Sequence, residues 1–186
     1  KHCVVFCGSG NNGGDGFIVA TELKKLGANV QVILCFDLPK SRAAREAYEK
    51  AYAAKIPMVD LAVSPYGAEL AMVGVDIVVD AIFGTGFHGE LPKAGKAAAK
   101  LINSAIAAVF SLDLPSGMET DRFQSDPDCV RADFTVVFDS LKPSHIMPLT
   151  AKLCGNICVV DIGIPPEFKK DTVYRYTLVN DALAAS

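Results

Sequence analysis

Gly8-Ser9-Gly10-Asn11-Asn12-Gly13-Gly14-Asp15-Gly16 follows directly on the apolar run Cys3-Val4-Val5-Phe6-Cys7 and leads into a helical pattern that starts near Phe17. This order of strand, glycine loop and helix start decides the fold. Glycines let the backbone turn tightly and approach a ligand, while the first N–H groups of a helix face its negative charge. Gly8-x-Gly10-x-x-Gly13 fits the dinucleotide pattern, which is a weak signal alone. Here two carboxamides and a carboxylate fill positions that a standard fingerprint leaves open.

Working outward, Val19, Leu23 and Leu26 form one helical stripe over residues 16–26, and Gly27 stands where a helix-ending glycine belongs. A strand follows at 29–35. Pro39-Lys40-Ser41 opens a helix over 42–55, with Glu46 and Lys50 set as an i,i+4 pair on a solvated face. Residues 56–61 read as a short strand, 66–73 as a short helix and Asp76 to Ile82 as a buried strand. A glycine loop at 84–89 and an Ala-rich helix near 93–104 come next, then strands at 107–112, 133–138 and 156–161. Strands alternating with helices predict an α/β protein: a three-layer α/β/α, Rossmann-like, doubly wound, mainly parallel sheet. With no repeat or linker to divide it, the chain of 186 residues reads as a single domain.

The bulk properties exclude several functions. A net charge of −3 without a dense Lys/Arg cluster argues against nucleic acid as a partner. No apolar run reaches the roughly 20 residues of a membrane-spanning helix, and Lys1-His2-Cys3 lacks the shape of a signal peptide. The expectation is a soluble, cytoplasmic protein. The chain starts without Met and enters its first strand at once, so upstream residues are expected in the natural protein. Cys3, Cys7, Cys35 and Cys158 lie in apolar strand-like runs and read as buried free thiols. Cys3-x-x-x-Cys7 and Cys154-x-x-x-Cys158 each lack the second ligand pair of a zinc site.

In a doubly wound sheet the strands point their carboxyl ends at one edge, where ligands bind. Three polar loops share that edge: Asn11 to Gly16, the stretch from Asp80 through Gly84-Thr85-Gly86-Phe87-His88-Gly89-Glu90, and Asp113 to Ser116. Each residue also has a purely structural reading. Asp15 fits an N-cap as well as a ligand contact. Asn11 or Asn12 fits a left-handed turn, and Asp80 and Asp113 fit turn caps. Carboxylates ending two central strands on one edge are harder to dismiss together. His88 is an acid–base candidate in a glycine-flanked, exposed loop. His2 and His145 have no recognisable partner, and Lys142, four residues past a strand, reads as a solvated lysine at the same edge.

Four stretches, Val5 to Gly16, Val79-Asp80-Ala81-Ile82-Phe83-Gly84-Thr85-Gly86, Ser111-Leu112-Asp113-Leu114-Pro115-Ser116-Gly117 and Val160-Asp161-Ile162-Gly163-Ile164-Pro165, resemble the NAD(P)H-hydrate epimerase family, the YjeF N-terminal domain. The motifs stand in family order and span residues 5 to 165; an upstream helical segment carried by family members is absent from this chain. The resemblance implies an isomerase of nicotinamide cofactor repair that interconverts the R and S forms of hydrated NADH and NADPH (NADHX and NADPHX). By matching motifs, Asn11, Asn12, Gly13, Gly14 and Asp15 would bind substrate, as would Gly84, Thr85, Gly86, Phe87, His88, Gly89 and Glu90. Asp113 would meet the reacting end, and Asn12, Asp80 and Ser116 would ligate a potassium ion. The implied partners are a second copy of the chain and a fused or separate dehydratase that consumes the S form. Tyr176-Thr177-Leu178-Val179-Asn180-Asp181-Ala182-Leu183 is similar to the segment leading into that dehydratase in two-domain relatives.

The chemistry accords with these assignments. The hydrated carbon carries a hydroxyl beside a ring nitrogen, whose lone pair helps expel water and leaves a planar, iminium-like cation; water then returns to either face. A carboxylate such as Asp113 serves as general acid, general base and electrostatic stabiliser of the cation. Oxygen ligands suit a hard cation, although they do not choose potassium over sodium or magnesium; the resemblance makes that choice. Two alternatives belong to other classes: a non-catalytic scaffold of the same fold, and an ordinary NAD-dependent oxidoreductase. The second explains neither the Asn-Asn pair nor the Asp-Leu-Pro-Ser-Gly loop.

Overall fold

The computed structural model describes residues 1–170, so the Tyr176–Leu183 segment lies outside the described residues. Seven strands, β1 (His2–Cys7), β2 (Asn29–Leu34), β3 (Met58–Asp60), β4 (Ile77–Ala81), β5 (Ala108–Leu112), β6 (Phe134–Phe138) and β7 (Asn156–Val160), form one sheet in the order β3-β2-β1-β4-β5-β6-β7. Every pairing is parallel. The winding reverses between β1 and β4, which creates the crevice at which such sheets bind ligands. The α/β architecture read from the alternating pattern is the one found.

Helices α1 (Asn11–Lys25), α2 (Arg42–Ala53), α3 (Pro65–Ala71) and α4 (Lys93–Asn103) cover the sheet. Alternate residues along a strand face opposite layers, and the two cores follow this parity. Val5 and Cys7 of β1 pack in one core with Phe17, Ala20, Ala47 and Ala51. Val4 and Phe6 pack in the other with Ala68, Ala98, Ala99 and Ile102. Cys3, Cys7, Cys35, Cys129 and Cys154 are buried free thiols, whereas Cys158 is exposed, contrary to the expectation. Its strand β7 is the sheet edge among the described residues, so an apolar sequence run there does not guarantee cover. Among the described residues no helix is long and apolar enough to cross a membrane.

The helix expected to start near Phe17 starts six residues earlier. Asn11 to Gly16 is the first part of α1, and the chain turns within Gly8-Ser9-Gly10. Close packing is the reason these glycines are needed. A Cβ on Gly13 would lie 1.9 Å from the Gly8 carbonyl oxygen, and one on Gly8 would lie 2.0 Å from that of Ile82. A Cβ on Gly14 would lie 2.8 Å from the Ala44 Cβ, and one on Gly16 2.6 Å from the Ala81 Cβ. These positions therefore press α1 onto the β1–β4 pair and against α2. At the far end Gly27, at φ +86°, ends α1 with Ala28 N–H bonded to Leu23 C=O.

Ser41 caps α2, its Oγ accepting from Ala44 N–H at 3.3 Å. Glu46 pairs with Arg42 at 2.8 Å rather than with Lys50, since either neighbour four residues away is within reach on a helix. Short helices at Pro143–Ile146 (α5), Pro148–Ala151 (α6) and Pro166–Lys170 (α7) escaped the sequence reading. They are too short to show periodicity, although each carries Pro at its start.

Gly13→Ala is expected to destabilise the protein by at least about 1–3 kcal/mol, because the clash is with backbone that cannot rotate away. Gly86→Ala, with nothing within 4 Å of the added carbon, should stay within about 0.5 kcal/mol of wild type. Urea unfolding of both variants checks the contrast.

Candidate active site

Asp80, the penultimate residue of β4, is fully buried. A carboxylate taken out of water needs hydrogen bonds to each oxygen, and the surrounding chain supplies four. Ser116 Oγ and Ile82 N–H donate to Oδ1 at 2.5 and 3.3 Å, and Ser111 Oγ–H and Ser116 N–H donate to Oδ2, each at 2.8 Å. Burial pushes the Asp80 carboxyl above its ordinary range, opposed by these bonds. Ser116 Oγ also accepts from Phe83 N–H at 2.9 Å, and the Asn12 Nδ2 amide donates to the Phe83 carbonyl at 2.9 Å. One polar chain thus joins the start of α1, the loop after β4 and the loop after β5.

Asp113 follows β5 immediately, is 7% exposed and adopts φ +66°. That left-handed conformation costs on the order of 1 kcal/mol for a residue with a Cβ, and Asp is among the few that visit it. Its N–H donates to Val136 C=O at 2.7 Å, and its own carbonyl lies 2.7 Å from His145 Nε2. Lys142 Nζ donates to Asp113 Oδ1 at 2.6 Å and to Phe138 C=O at 2.9 Å. The lysine expected to be solvated is therefore an ion-pair partner of the site, with its side chain 18% exposed. Two acceptors, at the ends of β5 and β6, draw it in from solvent. His145, for which no partner was visible, is 1% exposed and bound on both ring nitrogens.

A cleft of about 560 Å³ opens at the switch point, above the ends of β1, β4 and β5. Of the residues singled out from sequence, Asn11, Asn12, Asp15, Gly84, Thr85, Gly86, Phe87 and Asp113 line it. Asp15 sits inside α1 and not before it, which removes the N-cap reading; Gly10 precedes the helix and makes no side-chain cap. Burial, then the nearby Asp113 charge, raises the Asp15 carboxyl above its ordinary range. The first α1 bond described runs from Gly14 N–H to Gly10 C=O at 3.2 Å. The N–H groups of Asn11 to Gly13 precede it and suit an anion. Asn11 Oδ1 accepts from Ser41 Oγ–H at 2.7 Å, coupling this terminus to the start of α2.

Other expected positions lie off the cleft. Gly13 and Gly14 serve packing, and Asp80 and Ser116 lie behind the lining residues. His88 Nδ1 is 3.7 Å from Glu119 Oε2, Gly89 N–H donates to Glu119 Oε1 at 3.1 Å, and Glu90 lies 3.7 Å from Lys96. Buried Glu119 thus anchors the loop, as do Asp126, which accepts from Leu91 N–H at 2.8 Å, and Thr120, which donates to Thr85 C=O at 3.0 Å. None of these three, nor the lining residue Phe138, stood out in the sequence, and Ser9, Ile82 and Phe83 were read as parts of motifs rather than as site residues. The loop contacts of Glu119, Asp126 and Thr120 reach residues 30 to 35 positions away, beyond any local pattern.

Comparison with known proteins gives a consistent result. Residues 1–144 match the family described as YjeF-related protein N-terminus. The chain is 34% identical to an NAD(P)H-hydrate epimerase of Cenarchaeum symbiosum, over 90% of this chain and 76% of that protein. It is 35% identical to an NAD(P)H-hydrate epimerase of Pirellula staleyi, over 89% and 74% respectively. It is also 38% identical to a Bifunctional NAD(P)H-hydrate repair enzyme Nnr of Moorella thermoacetica, but spans only 36% of that longer protein. The crystal structure of yeast ynu0, YNL200c, superposes with a TM-score of 0.74 at 24% identity, covering 95% of this chain and 75% of that one, a likeness of fold. The chain belongs to the YjeF N-terminal family.

Proposed function

We propose that this protein interconverts the R and S forms of hydrated NADH and NADPH, a repair isomerase acting on a damaged cofactor. The carrying observation is the placement of Asp113, ion-paired to Lys142, on the same cleft as the free N-terminus of α1. The helix start offers N–H groups to a phosphate of the substrate, while Asp113 faces the opposite requirement, a carbon that becomes cationic. Expulsion of the hydroxyl with help from the ring nitrogen leaves a planar cation. Asp113 in its acid form gives the departing oxygen its proton, and as carboxylate it stabilises the cation and takes a proton from the returning water. Return to either face gives either epimer. Relatives named as bifunctional repair enzymes support a dehydratase, fused or separate, as the consumer of the S form.

The same reading includes a potassium ion near Asn12, Asp80 and Ser116. Oxygen is the right donor type, and Asp80, whose two oxygens already accept four hydrogen bonds, would exchange one of them for the ion. Asp80 takes hydrogen bonds from neutral groups alone, so its buried charge has no cationic side chain bonded to it among the described residues. Asn12 turns its amide nitrogen to Phe83 C=O, which leaves Oδ1 for another partner. Among the described residues no three His, Cys, Asp or Glu side chains gather to hold a metal, which disfavours a multi-carboxylate divalent site. One carboxylate with neutral oxygens suits a monovalent hard ion, which would balance the local negative charge.

Two outcomes are expected. An isolated NADHX epimer, followed by NMR in potassium buffer, should equilibrate faster with the protein than without it. Asp113→Asn should lower that rate by about 10²–10⁴-fold while the protein stays folded; an unaccelerated wild-type reaction counts against the function. Separately, KCl should raise the unfolding midpoint above that in choline chloride at equal ionic strength, since an ion bound only by the folded state stabilises it. Asn12→Ala should erase the difference, and equal midpoints for wild type count against the ion.

A further inference from the structure

We propose that Lys142 and His145 are positioning residues that fix Asp113 for acid–base work, a proposal that rests on the epimerase reading of Asp113. Both come from the segment after β6, and both contact Asp113. Lys142 holds the side chain and His145 holds the backbone.

The tautomer of His145 follows from its partners. Lys142 N–H donates to His145 Nδ1 at 2.9 Å, so Nδ1 must present a lone pair. The ring proton therefore sits on Nε2 and is donated to the Asp113 carbonyl at 2.7 Å. The ring is neutral in this arrangement, because an imidazolium would aim an Nδ1 proton at the Lys142 N–H. Burial, with the Lys142 charge, disfavours the charged ring and outweighs the opposing bond to the Asp113 carbonyl and the Asp113 charge. His145 thus reads two backbones at once, that of Asp113 at φ +66° and that of Lys142.

Lys142 completes the clamp. Its ammonium is fastened to the end of β6 through Phe138 C=O and grips Asp113 Oδ1. Among the described residues no hydrogen bond is made to Oδ2, which leaves that oxygen for the reacting centre. The charged groups acting on Asp113 are Lys142, ion-paired to it, and Asp15 of α1, which lies within reach of its charge. The ammonium opposes the repulsion between the two carboxylates and keeps Asp113 in one orientation. Misplacement of a catalytic group by about 1 Å costs about 10²-fold in rate.

The test combines kinetics with a readout independent of activity. In ¹⁵N-labelled wild-type protein, long-range ¹H–¹⁵N spectra should show His145 with a bare Nδ1 and a protonated Nε2 throughout the range about pH 6 to 8. A proton on Nδ1 overturns the clamp even if the enzyme is active. Lys142→Met should lower kcat by about 10²-fold with little change in KM, and Lys142→Arg should recover most of the loss. A Lys142→Met variant with wild-type kcat, or an Arg variant as poor as the Met one, overturns the role of Lys142. His145→Phe should lower kcat in the same way, and where it fails to fold the spectra decide. If wild type does not accelerate epimerisation at all, the function falls, while the spectra still judge the clamp.

Discussion

The buried carboxylate of Asp80 is the constraint around which the site is arranged. An ion of that size out of water costs several kcal/mol even after relaxation, and the structure answers with a donor at every corner. Those donors belong to different elements. Ser111 is on β5, Ser116 is in the loop beyond it, and Ile82 is in the chain leaving β4. Satisfying one carboxylate therefore fixes the path of both loops. Phe83, held by Ser116, then receives the Asn12 amide, which extends the same order to the first turn of α1.

Two further features turn that rigid floor into a place for chemistry. The glycines of α1 let the helix start almost in contact with the ends of β1 and β4, so its unpaired N–H groups open onto the cleft. On the facing side Asp113 is kept in a left-handed conformation by bonds to Val136 and His145. Strain of this kind persists where its surroundings over-determine it. A helix start suited to anions and a carboxylate suited to a cation thus bound one cleft. The proposed substrate has both charges during reaction.

Much of this was legible in the sequence, for reasons that can be named. The apolar runs and the punctuating glycines reported the strands, and the shared edge of a doubly wound sheet brought Asn12, Asp80, Asp113 and Ser116 into one region. The role of the glycines was misplaced: the run read as a loop is helix, because helix propensity disfavours glycine and the packing that overrides it is tertiary. Lys142, His145 and Glu119 were misjudged or missed for a related reason. The first two are defined by contacts to Asp113 about 30 residues away, and Glu119 by its bond to Gly89 across a similar separation. Neither periodicity nor spacing carries that information.

The central claim is that water leaves and returns at the hydrated carbon under the control of Asp113. Incubation of one NADHX epimer with the protein in ¹⁸O-labelled water, followed by mass spectrometry of the separated epimers, tests it directly. The account predicts solvent oxygen in both epimers at a rate at least equal to that of epimerisation. Inversion with the original oxygen retained would contradict it.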